Sequence, residues 1–226
     1  AIAYGQNRWT VVRQLRYLQT RPDIVLMLNG LPIITLELKN QLSCQNVDCA
    51  VRQYKTDRNP KDLLYMPKRC AAHFAVDDAE VKMCTALAGP KSWFLPFNRG
   101  VDDGAGNQAV EGKLKTAYLW EDILQKERLS DILENYAQVI REKDAETGKI
   151  KEKCIWPRYH QLEAVRALLA DTAAHEGGKR YLIQHSAGSG KSNSITWLAF
   201  QLVNMKQADG LTPRFESIIV VTDRVN

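Results

Sequence analysis

Residues 22–39 read PDIVLMLNGLPIITLELK, and this stretch decides the fold of the chain. Two aliphatic runs flank Asn29-Gly30, which is a strong signal for a β-hairpin. The number of residues in the loop sets the register, and the register decides which side chains share a face. A two-residue loop would pair Leu28 with Leu31 and would place the carboxylate of Asp23 on the apolar face of the hairpin.

We predict instead a three-residue loop at residues 29–31, because this register separates apolar from polar side chains. One face is then apolar from Ile24 to Leu38, whereas a slip of one residue would exchange the faces of a strand. Gly30 suits the positive φ angle that such a loop with its bulge requires. The cross-strand pairs predicted in this way are Leu28–Pro32, Val25–Thr35 and Asp23–Glu37.

The polar face of the hairpin predicts a catalytic centre made of Asp23, Glu37 and Lys39. Cross-strand neighbours have Cβ atoms about 5 Å apart, so two carboxylates lie side by side and need a compensating cation. Mg²⁺ prefers such oxygen ligands, and a bound water then ionises more easily beside a lysine. This arrangement suits hydrolysis of a phosphodiester. The alternative is a solvated hairpin edge with an ordinary surface salt bridge.

A helix is predicted after the hairpin, because Val47, Ala50, Val51 and Tyr54 recur at helical spacing. The basic side chains of this helix face either DNA phosphates or water, and the sequence leaves both interpretations open. His73 lies inside an apolar strand, where a structural histidine is the better interpretation. The residues with predicted supporting or DNA-contacting roles are Gln53, Tyr54, Arg52, Lys55 and Arg58.

A second motif lies at residues 185–192, which read HSAGSGKS between a predicted strand at 181–184 and an apolar helix. The pattern GxxxxGK[ST] fits from its second glycine onward, with His185 in place of the first. The glycines let backbone amides surround a phosphate, and the helix N-terminus adds partial positive charge. Lys191 would reach the β- and γ-phosphates of ATP, and Ser192 would ligate Mg²⁺. The predicted ATP-binding residues of this loop are Gly188, Ser189, Gly190, Lys191 and Ser192.

Two flanking segments extend the nucleotide-binding pattern. Residues 157–161 open an amphipathic helix and resemble the segment that contacts adenine in superfamily-2 helicases, which implies such a role for Arg158 and Gln161. A polar residue at a helix start explains Gln161 equally well. Residues 217–224 resemble the next strand motif of that superfamily, whose end contacts a DNA strand.

Composition and charge describe an ordinary globular chain with a basic front. The 226 residues are 45% hydrophobic and 25% charged, which excludes wholesale disorder. Residues 1–70 carry 11 Lys and Arg against 5 Asp and Glu, which favours a polyanionic partner as much as a solvated face. The five cysteines show no metal-binding or disulfide spacing, so we expect a cytoplasmic protein. We expect no membrane span, since apolar runs are short.

Three segments are predicted along the chain. Residues 1–98 form a nuclease-like domain, residues 99–154 form a loop and helical linker with a helix near 117–143, and residues 155–226 begin an ATP-binding domain. The predicted fold class is α/β, with a mixed sheet and helices followed by the first part of a RecA-like P-loop domain. We interpret the chain as a piece of a longer protein.

The motifs together resemble the restriction (motor and nuclease) subunit of type I restriction-modification enzymes. Asp23, Glu37 and Lys39 match the PD-(D/E)xK nuclease core, in which the acidic pair binds Mg²⁺ and the lysine positions the attacking water. Many relatives have a QxxxY motif on the next helix, but Ala50 stands four residues before Tyr54 here. The other motifs that carry the resemblance are RPDIVL at 21–26, NGLP at 29–32, ELKN at 37–40, LPFN at 95–98, YHQ at 159–161 and HSAGSGKS at 185–192.

The resemblance implies Mg²⁺-dependent cleavage of double-stranded DNA coupled to ATP-driven translocation. Its implied partners are DNA and the methylase and specificity subunits of the same complex. We expect no ATP hydrolysis by this chain alone, because the Walker B acids and the arginine finger lie outside it. Two rival hypotheses are a DNA motor with an inactive, DNA-binding nuclease-like domain, and a scaffold that docks on the methylase core. A small-molecule kinase is disfavoured, because no acceptor or lid region follows the loop.

Overall fold

The computed structural model describes residues 2–101, 105–143, 148–175 and 179–222, with side chains from Tyr4 onward. These residues form a mixed α/β structure that divides into two compact units, Ala1–Trp156 and Pro157–Asn226. The division lies close to the start predicted at residue 155 for the ATP-binding segment. Among the described residues, no helix is both long and apolar enough to cross a membrane.

The first unit contains most of the regular structure. Its strands, within the described residues, are β1 (Trp9–Arg13), β2 (Ile24–Leu28), β3 (Leu31–Leu38), β4 (Ala72–Val76), β5 (Val81–Cys84), β6 (Leu95–Pro96), β7 (Gln138–Lys143) and β8 (Ile150–Ile155). Its helices are α1 (Ile2–Gly5), α2 (Val47–Thr56) and α3 (Lys126–Asn135), with a 3-10 helix at Gln41–Ser43 and a π-helical turn at Leu119–Ile123.

The first six strands form one sheet in sequence order, and β7 and β8 form a separate antiparallel pair. Only β3 and β4 pair in parallel within the described sheet. A parallel pair requires a crossover connection, and α2 lies on that connection. The sheet is therefore mixed, as the sequence predicts.

The helix α2 forms where the sequence predicts it. The side chain of Asn46 accepts a hydrogen bond from the Cys49 amide at 3.2 Å and caps the first turn. Val47, Ala50 and Tyr54 face inward and are buried. The helix packs on strands β3, β4 and β5 in a core with Leu64, Tyr65, Cys70, Ala75, Cys84 and Leu87.

The β2–β3 hairpin corrects the predicted loop. The turn has two residues, Asn29 with φ 52° and Gly30 with φ 83°, so Leu28 pairs with Leu31 and not with Pro32. A register shift between Leu26 and Met27 then absorbs one extra residue of β3. The two positive φ angles favour strand twist at the tip, and the bulge returns the polar and apolar sides to the predicted faces.

Below the bulge, the predicted register is confirmed. Val25 pairs with Thr35, and Ile24 pairs with Leu36. One further step along this register places Asp23 opposite Glu37. The error in loop length therefore leaves the predicted neighbours unchanged at the other end of the hairpin.

Residues 99–154 differ from the predicted helical linker. The helix expected near 117–143 ends at Asn135, and residues 138–143 form β7, which pairs with β8 in register along its whole length. Val139 and Ile140 fit a helical period as well as a strand, and pairing with residues 150–155 favours the strand. Thr116 and Tyr118 donate hydrogen bonds to main-chain oxygens of the first unit, at 2.8 Å and 2.7 Å.

The second unit contains α4 (Tyr159–Ala174) and α5 (Lys191–Asn204), which pack against each other. Both helices lie where the sequence predicts them. The predicted strands at 181–184 and 217–224 are absent from the described residues 179–222, and Asp223 and Arg224 lie outside the described part. A strand forms only when a neighbouring strand satisfies its amides, and within the described residues neither 181–184 nor 217–222 lies in a strand.

Candidate active site

The candidate site lies at the end of β3 and begins with Asp23. One carboxylate oxygen accepts a hydrogen bond from the Leu38 amide at 2.8 Å, and the other accepts one from Gln14 Nε2 at 2.8 Å. The Gln14 amide also donates to the Asp23 carbonyl at 2.8 Å, with Gln14 itself at φ 52°. Asp23 is therefore fixed against the backbone beside Glu37.

Glu37 is fully buried at the same end of β3, with 0% of its surface exposed. Nε and Nη2 of Arg58 both lie 2.7 Å from Glu37 Oε1. The other oxygen, Oε2, is buried and has no hydrogen-bond partner among the described residues. A buried polar atom without a partner is costly and marks a position where a ligand would be stabilised.

Burial raises the pKa of Glu37 to about 7, although the hydrogen bond and positive charge of Arg58 act to lower it. The negative charge of Asp23 raises this pKa further, and the positive charge of Lys39 lowers it. Both charges are thus close enough to Glu37 to act on it. The structure brings the three predicted catalytic side chains together at one end of the sheet.

Lys39 is oriented by α2. Its Nζ donates a hydrogen bond to Gln53 Oε1 at 2.6 Å, and the side chain is half-buried. Gln53 lies on α2 beside the buried Tyr54, in the helix where the sequence analysis gave it a supporting role. Residues two apart in a strand share a face, so Lys39 lies on the same side as Glu37.

A buried hydrogen-bond network lies next to the site, at the middle of β3. Thr35 Oγ1 lies 2.8 Å from Tyr54 Oη and 2.7 Å from His73 Nδ1. Burial lowers the pKa of His73 to about 3, so the ring is neutral at ordinary pH. This environment agrees with the structural role predicted for His73 and fixes the middle of β3.

The predicted DNA-contacting residues divide into two groups. Arg52 is exposed and Lys55 is half-buried, both on α2. The structure corrects the DNA-contacting role predicted for Arg58. This residue lies beyond the helix, is only 5% exposed and pairs with Glu37. Helical periodicity placed Arg58 on a solvent-exposed helix face. The local sequence contains no signal for its long-range pair with Glu37.

The donor set fits a hard divalent cation. Among the described residues, no group of three or more His, Cys, Asp or Glu side chains could hold a metal ion. Mg²⁺ needs only one or two carboxylates, since water and substrate phosphate complete its coordination. Asp23 and the unpaired Oε2 of Glu37 meet that smaller requirement.

The second unit presents the phosphate-loop motif at the start of α5. Gly190 precedes the helix with φ 83°, and a Cβ at this position would overlap the side chain of Gln161. Lys191 Nζ donates to the carbonyls of His185 at 3.0 Å and Ser186 at 2.9 Å. The lysine therefore lies folded over its own loop.

The residues expected near adenine and Mg²⁺ are placed as follows. Gln161 is 3% exposed, accepts a hydrogen bond from the Arg158 amide at 2.9 Å and donates one to the Gly190 carbonyl at 2.8 Å. Ser192 is exposed, whereas Ser189 is buried with no partner for its hydroxyl in the described chain. Gln161 therefore ties α4 to the phosphate loop.

An apolar cavity of about 140 Å³ lies beside this loop between α4 and α5. Its lining includes Val165, Leu168, Ile183, His185, Ile195 and Leu198.

Comparison with known proteins finds a family match within the first unit. Residues 2–92 match the family described as "Type I restriction enzyme R protein N terminus". The chain is 27% identical to the type I restriction enzyme HindI endonuclease subunit of Haemophilus influenzae, over 98% of this chain and 21% of that protein. It is 28% identical to the putative type I restriction enzyme MjaVIIIP endonuclease subunit of Methanocaldococcus jannaschii, over 79% of this chain and 16% of that protein.

A third relative extends the match within the same class. The chain is 24% identical to the putative type I restriction enzyme MjaIXP endonuclease subunit of Methanocaldococcus jannaschii, over 91% of this chain and 20% of that protein. The chain thus spans about a fifth of the length of the curated relatives that it matches. The family match covers residues 2–92, and all three relatives are named as endonuclease subunits of type I restriction enzymes.

Proposed function

We propose that the chain supplies the Mg²⁺-dependent DNA-cutting centre of a type I restriction endonuclease subunit, together with the ATP-binding loop of its DNA-translocating motor. Asp23, Glu37 and Lys39 form the cutting centre. The substrate is double-stranded DNA. The match of residues 2–92 to the R-protein family and the names of the relatives support this assignment.

One observation carries the proposal for the cutting centre. Asp23 is fixed beside Glu37 through the Leu38 amide, and Glu37 Oε2 is buried without a partner in the described chain. Two adjacent carboxylates with one open oxygen form a donor set for a hard cation, and a plain surface salt bridge would leave no such atom.

Each side chain has a role that follows from its contacts. Mg²⁺, when bound, supplies a water that ionises easily and offsets charge on the phosphate. Asp23 and Glu37 would hold the metal at the end of β3. Lys39, oriented by Gln53, would hold the attacking water and offset negative charge on the scissile phosphate. The half-buried position of Lys39 reduces screening of its charge by solvent.

The proposed ATP site uses the loop of the second unit. Backbone amides of residues 188–190 would surround the phosphates, Lys191 would leave the His185 and Ser186 carbonyls to reach them, and Ser192 would ligate Mg²⁺. Gln161 would read adenine by exchanging its hydrogen bonds to Arg158 and Gly190. The chain alone binds ATP in this proposal and does not hydrolyse it.

We also propose which subunits accompany the chain and in which compartment it works. The methylase and specificity subunits of the same complex would recognise the target DNA sequence. This chain would not select that sequence. A reducing cytoplasm agrees with the five free thiols of Cys44, Cys49, Cys70, Cys84 and Cys154.

The second candidate function is a DNA motor whose nuclease-like domain binds DNA without cutting it. The pairing of Glu37 with Arg58 favours this candidate, because it neutralises one of the two carboxylates. In that case, replacing Asp23 with alanine would leave cleavage by the complete complex intact.

The deciding experiment compares plasmid cutting by the complete complex assembled with wild-type, Glu37→Ala or Lys191→Ala subunits. We expect both variants to lose cutting, because one lacks the metal ligand and the other lacks the phosphate-binding ammonium. ATP hydrolysis should persist only in Glu37→Ala. Cutting that survives in Glu37→Ala would refute the assigned centre, and ATP hydrolysis that survives in Lys191→Ala would refute the assigned loop.

A further inference from the structure

Arg58 contacts one of the proposed metal ligands, Glu37, although the sequence predicted for it only a supporting or DNA-contacting role. It lies beyond the C-terminus of α2 and is 5% exposed. Its side chain is close enough to Tyr54 and Tyr65 to interact electrostatically with both. A guanidinium in such surroundings needs a specific partner, since a buried charge without one is strongly destabilising.

That partner is one atom, Oε1 of Glu37. Nε and Nη2 of Arg58 both lie 2.7 Å from it. Two nitrogens of the guanidinium therefore contact one carboxylate oxygen and leave Oε2 untouched. Lys39 does not occupy Oε2 either, because that oxygen has no hydrogen-bond partner within the described structure and the Lys39 ammonium donates to Gln53.

Arg58 also reaches the segment that precedes Asp23. Its Nη2 lies 3.4 Å from the carbonyl oxygen of Arg21, two residues before that aspartate. One guanidinium thus links the end of β3 to the start of β2, the two segments that carry the carboxylates. The guanidinium holds the Glu37 side chain directly. Through the Arg21 carbonyl, it also contacts the backbone near Asp23.

We propose that Arg58 is the positioning residue of the metal centre, which holds Glu37 Oε1 so that Oε2 is the single oxygen that Glu37 offers to the metal. The proposal rests on the function proposed above for Asp23 and Glu37. It makes Glu37 a monodentate ligand, because its other oxygen is already held by the Nε–H hydrogen bond and the charge of Arg58. A planar guanidinium suits this role better than an ammonium, since its donors have a fixed geometry.

The test uses the whole chain in nucleotide-free buffer, where calorimetric titration with Mn²⁺ or Mg²⁺ reports the carboxylate site. We expect Arg58→Met to weaken metal binding at least tenfold and Arg58→Lys to restore part of the loss. Arg52→Met is the matched control, because it removes an exposed arginine from α2, and its metal affinity should equal that of the wild type.

A second readout separates positioning from folding. In the complete complex, Arg58→Lys should raise the Mg²⁺ concentration required for half-maximal cutting while the rate at saturating Mg²⁺ changes less. If Arg58→Met fails to fold, the double variant Glu37→Gln/Arg58→Met, which has no buried charge at this pair, should fold and should not bind metal. Arg58→Lys then carries the affinity measurement.

Two results would overturn the proposal. Arg58→Met that binds metal as tightly as the wild type, or more tightly, would make Arg58 a bystander or a competitor for Glu37. Arg58→Lys with fully wild-type affinity would refute the need for a guanidinium at this position. Failure of the underlying function looks different, because the wild-type chain would then bind no metal or would bind it equally well as Glu37→Gln.

Discussion

The two candidate sites of this chain differ in how their key side chains are held. At the end of β3, each of Asp23, Glu37 and Lys39 has a partner from another part of the first unit. In the second unit, Lys191 donates to carbonyls of its own loop, and residues 181–184 before that loop form no strand in the described structure. The first site is organised by long-range packing, and the second is organised mainly by local backbone geometry.

This difference separates side chains that are positioned by tertiary contacts from loops that are positioned by local backbone conformation. A carboxylate in a folded sheet takes its position from the strands around it, and side-chain contacts then fix its rotamer. A phosphate loop takes its shape from glycine conformations and a helix N-terminus, which need few neighbours. Substitutions that separate these two sources of order test the comparison.

Acidification gives the largest expected effect on the first unit. Burial lowers the folded-state pKa of His73 to about 3 from 6.5, so its contribution to stability is present above pH 6.5 and is lost as the pH falls toward 3. The loss is about 1.4 kcal/mol per pH unit in this window. Urea unfolding of wild type and His73→Gln from pH 7 to pH 3 should give a difference with this slope.

Glu37 acts with the opposite sign in the same experiment. Its folded-state pKa is raised to about 7 from 4.5, so its contribution is present below pH 4.5 and is lost as the pH rises through 7. The two groups therefore offset each other between pH 4.5 and 6.5, and the net loss of stability should begin below pH 4.5. A difference curve for His73→Gln that is flat throughout would contradict the neutral buried ring.

The glycines of the phosphate loop test local geometry in the second unit. Gly188 and Gly190 both have positive φ, at 71° and 83°, but only at Gly190 would a Cβ overlap Gln161. Alanine costs about 1–2 kcal/mol for the left-handed conformation at either position, with a further steric cost at Gly190. We expect Gly190→Ala to weaken binding of a fluorescent ATP analogue more than Gly188→Ala. Equal losses would show that the contact with Gln161 is irrelevant.

Two buried hydroxyls sharpen the comparison between the units. Tyr54 Oη bonds to Thr35, whereas Ser189 Oγ has no partner in the described chain. Tyr54→Phe should lower the free energy of unfolding by about 1–2 kcal/mol. Ser189→Ala should change it by no more than about 0.5 kcal/mol. Urea titration of both variants measures the contrast, and a larger loss in Ser189→Ala would reverse it.

The smallest expected effect concerns exposed cations. Arg52→Ala should reduce the slope of log affinity for duplex DNA against log salt by about 1, if its guanidinium meets one phosphate. Arg180→Ala removes an equally exposed arginine from the second unit and serves as the control. Filter binding without nucleotide, over a range of salt concentrations, gives both slopes. An unchanged slope in Arg52→Ala would leave α2 as an ordinary solvated face.

Sequence patterns predicted the end of the hairpin near Asp23 and Glu37 better than its tip. Alternation of side chains predicted the pair Val25–Thr35, because a slip of one residue would exchange the two faces of the strand. The two-residue turn and the compensating bulge were missed, since alternation constrains the register of the strands and not how the turn achieves it. Residues 138–143 were missed for a related reason, because a short apolar run fits a helix and a strand alike.

The partners of the predicted residues were beyond sequence reasoning. Arg58 lies 21 residues from Glu37, and nothing in local spacing indicates that the two side chains meet in the core. Gln53 was noticed only as an irregular form of a family motif, and its bond to Lys39 depends on how α2 packs on the sheet. Such contacts follow from tertiary packing, which a single sequence does not encode in any local pattern.

The balance of charge around Glu37 has a thermodynamic consequence under the proposed function. When both carboxylates are ionised, the charges of Lys39 and Arg58 balance those of Asp23 and Glu37 before any ion arrives. A bound divalent cation then leaves excess positive charge at the end of β3, and a DNA phosphodiester removes part of it. Metal and DNA should therefore strengthen each other's binding by the same factor, because linkage between two ligands is reciprocal.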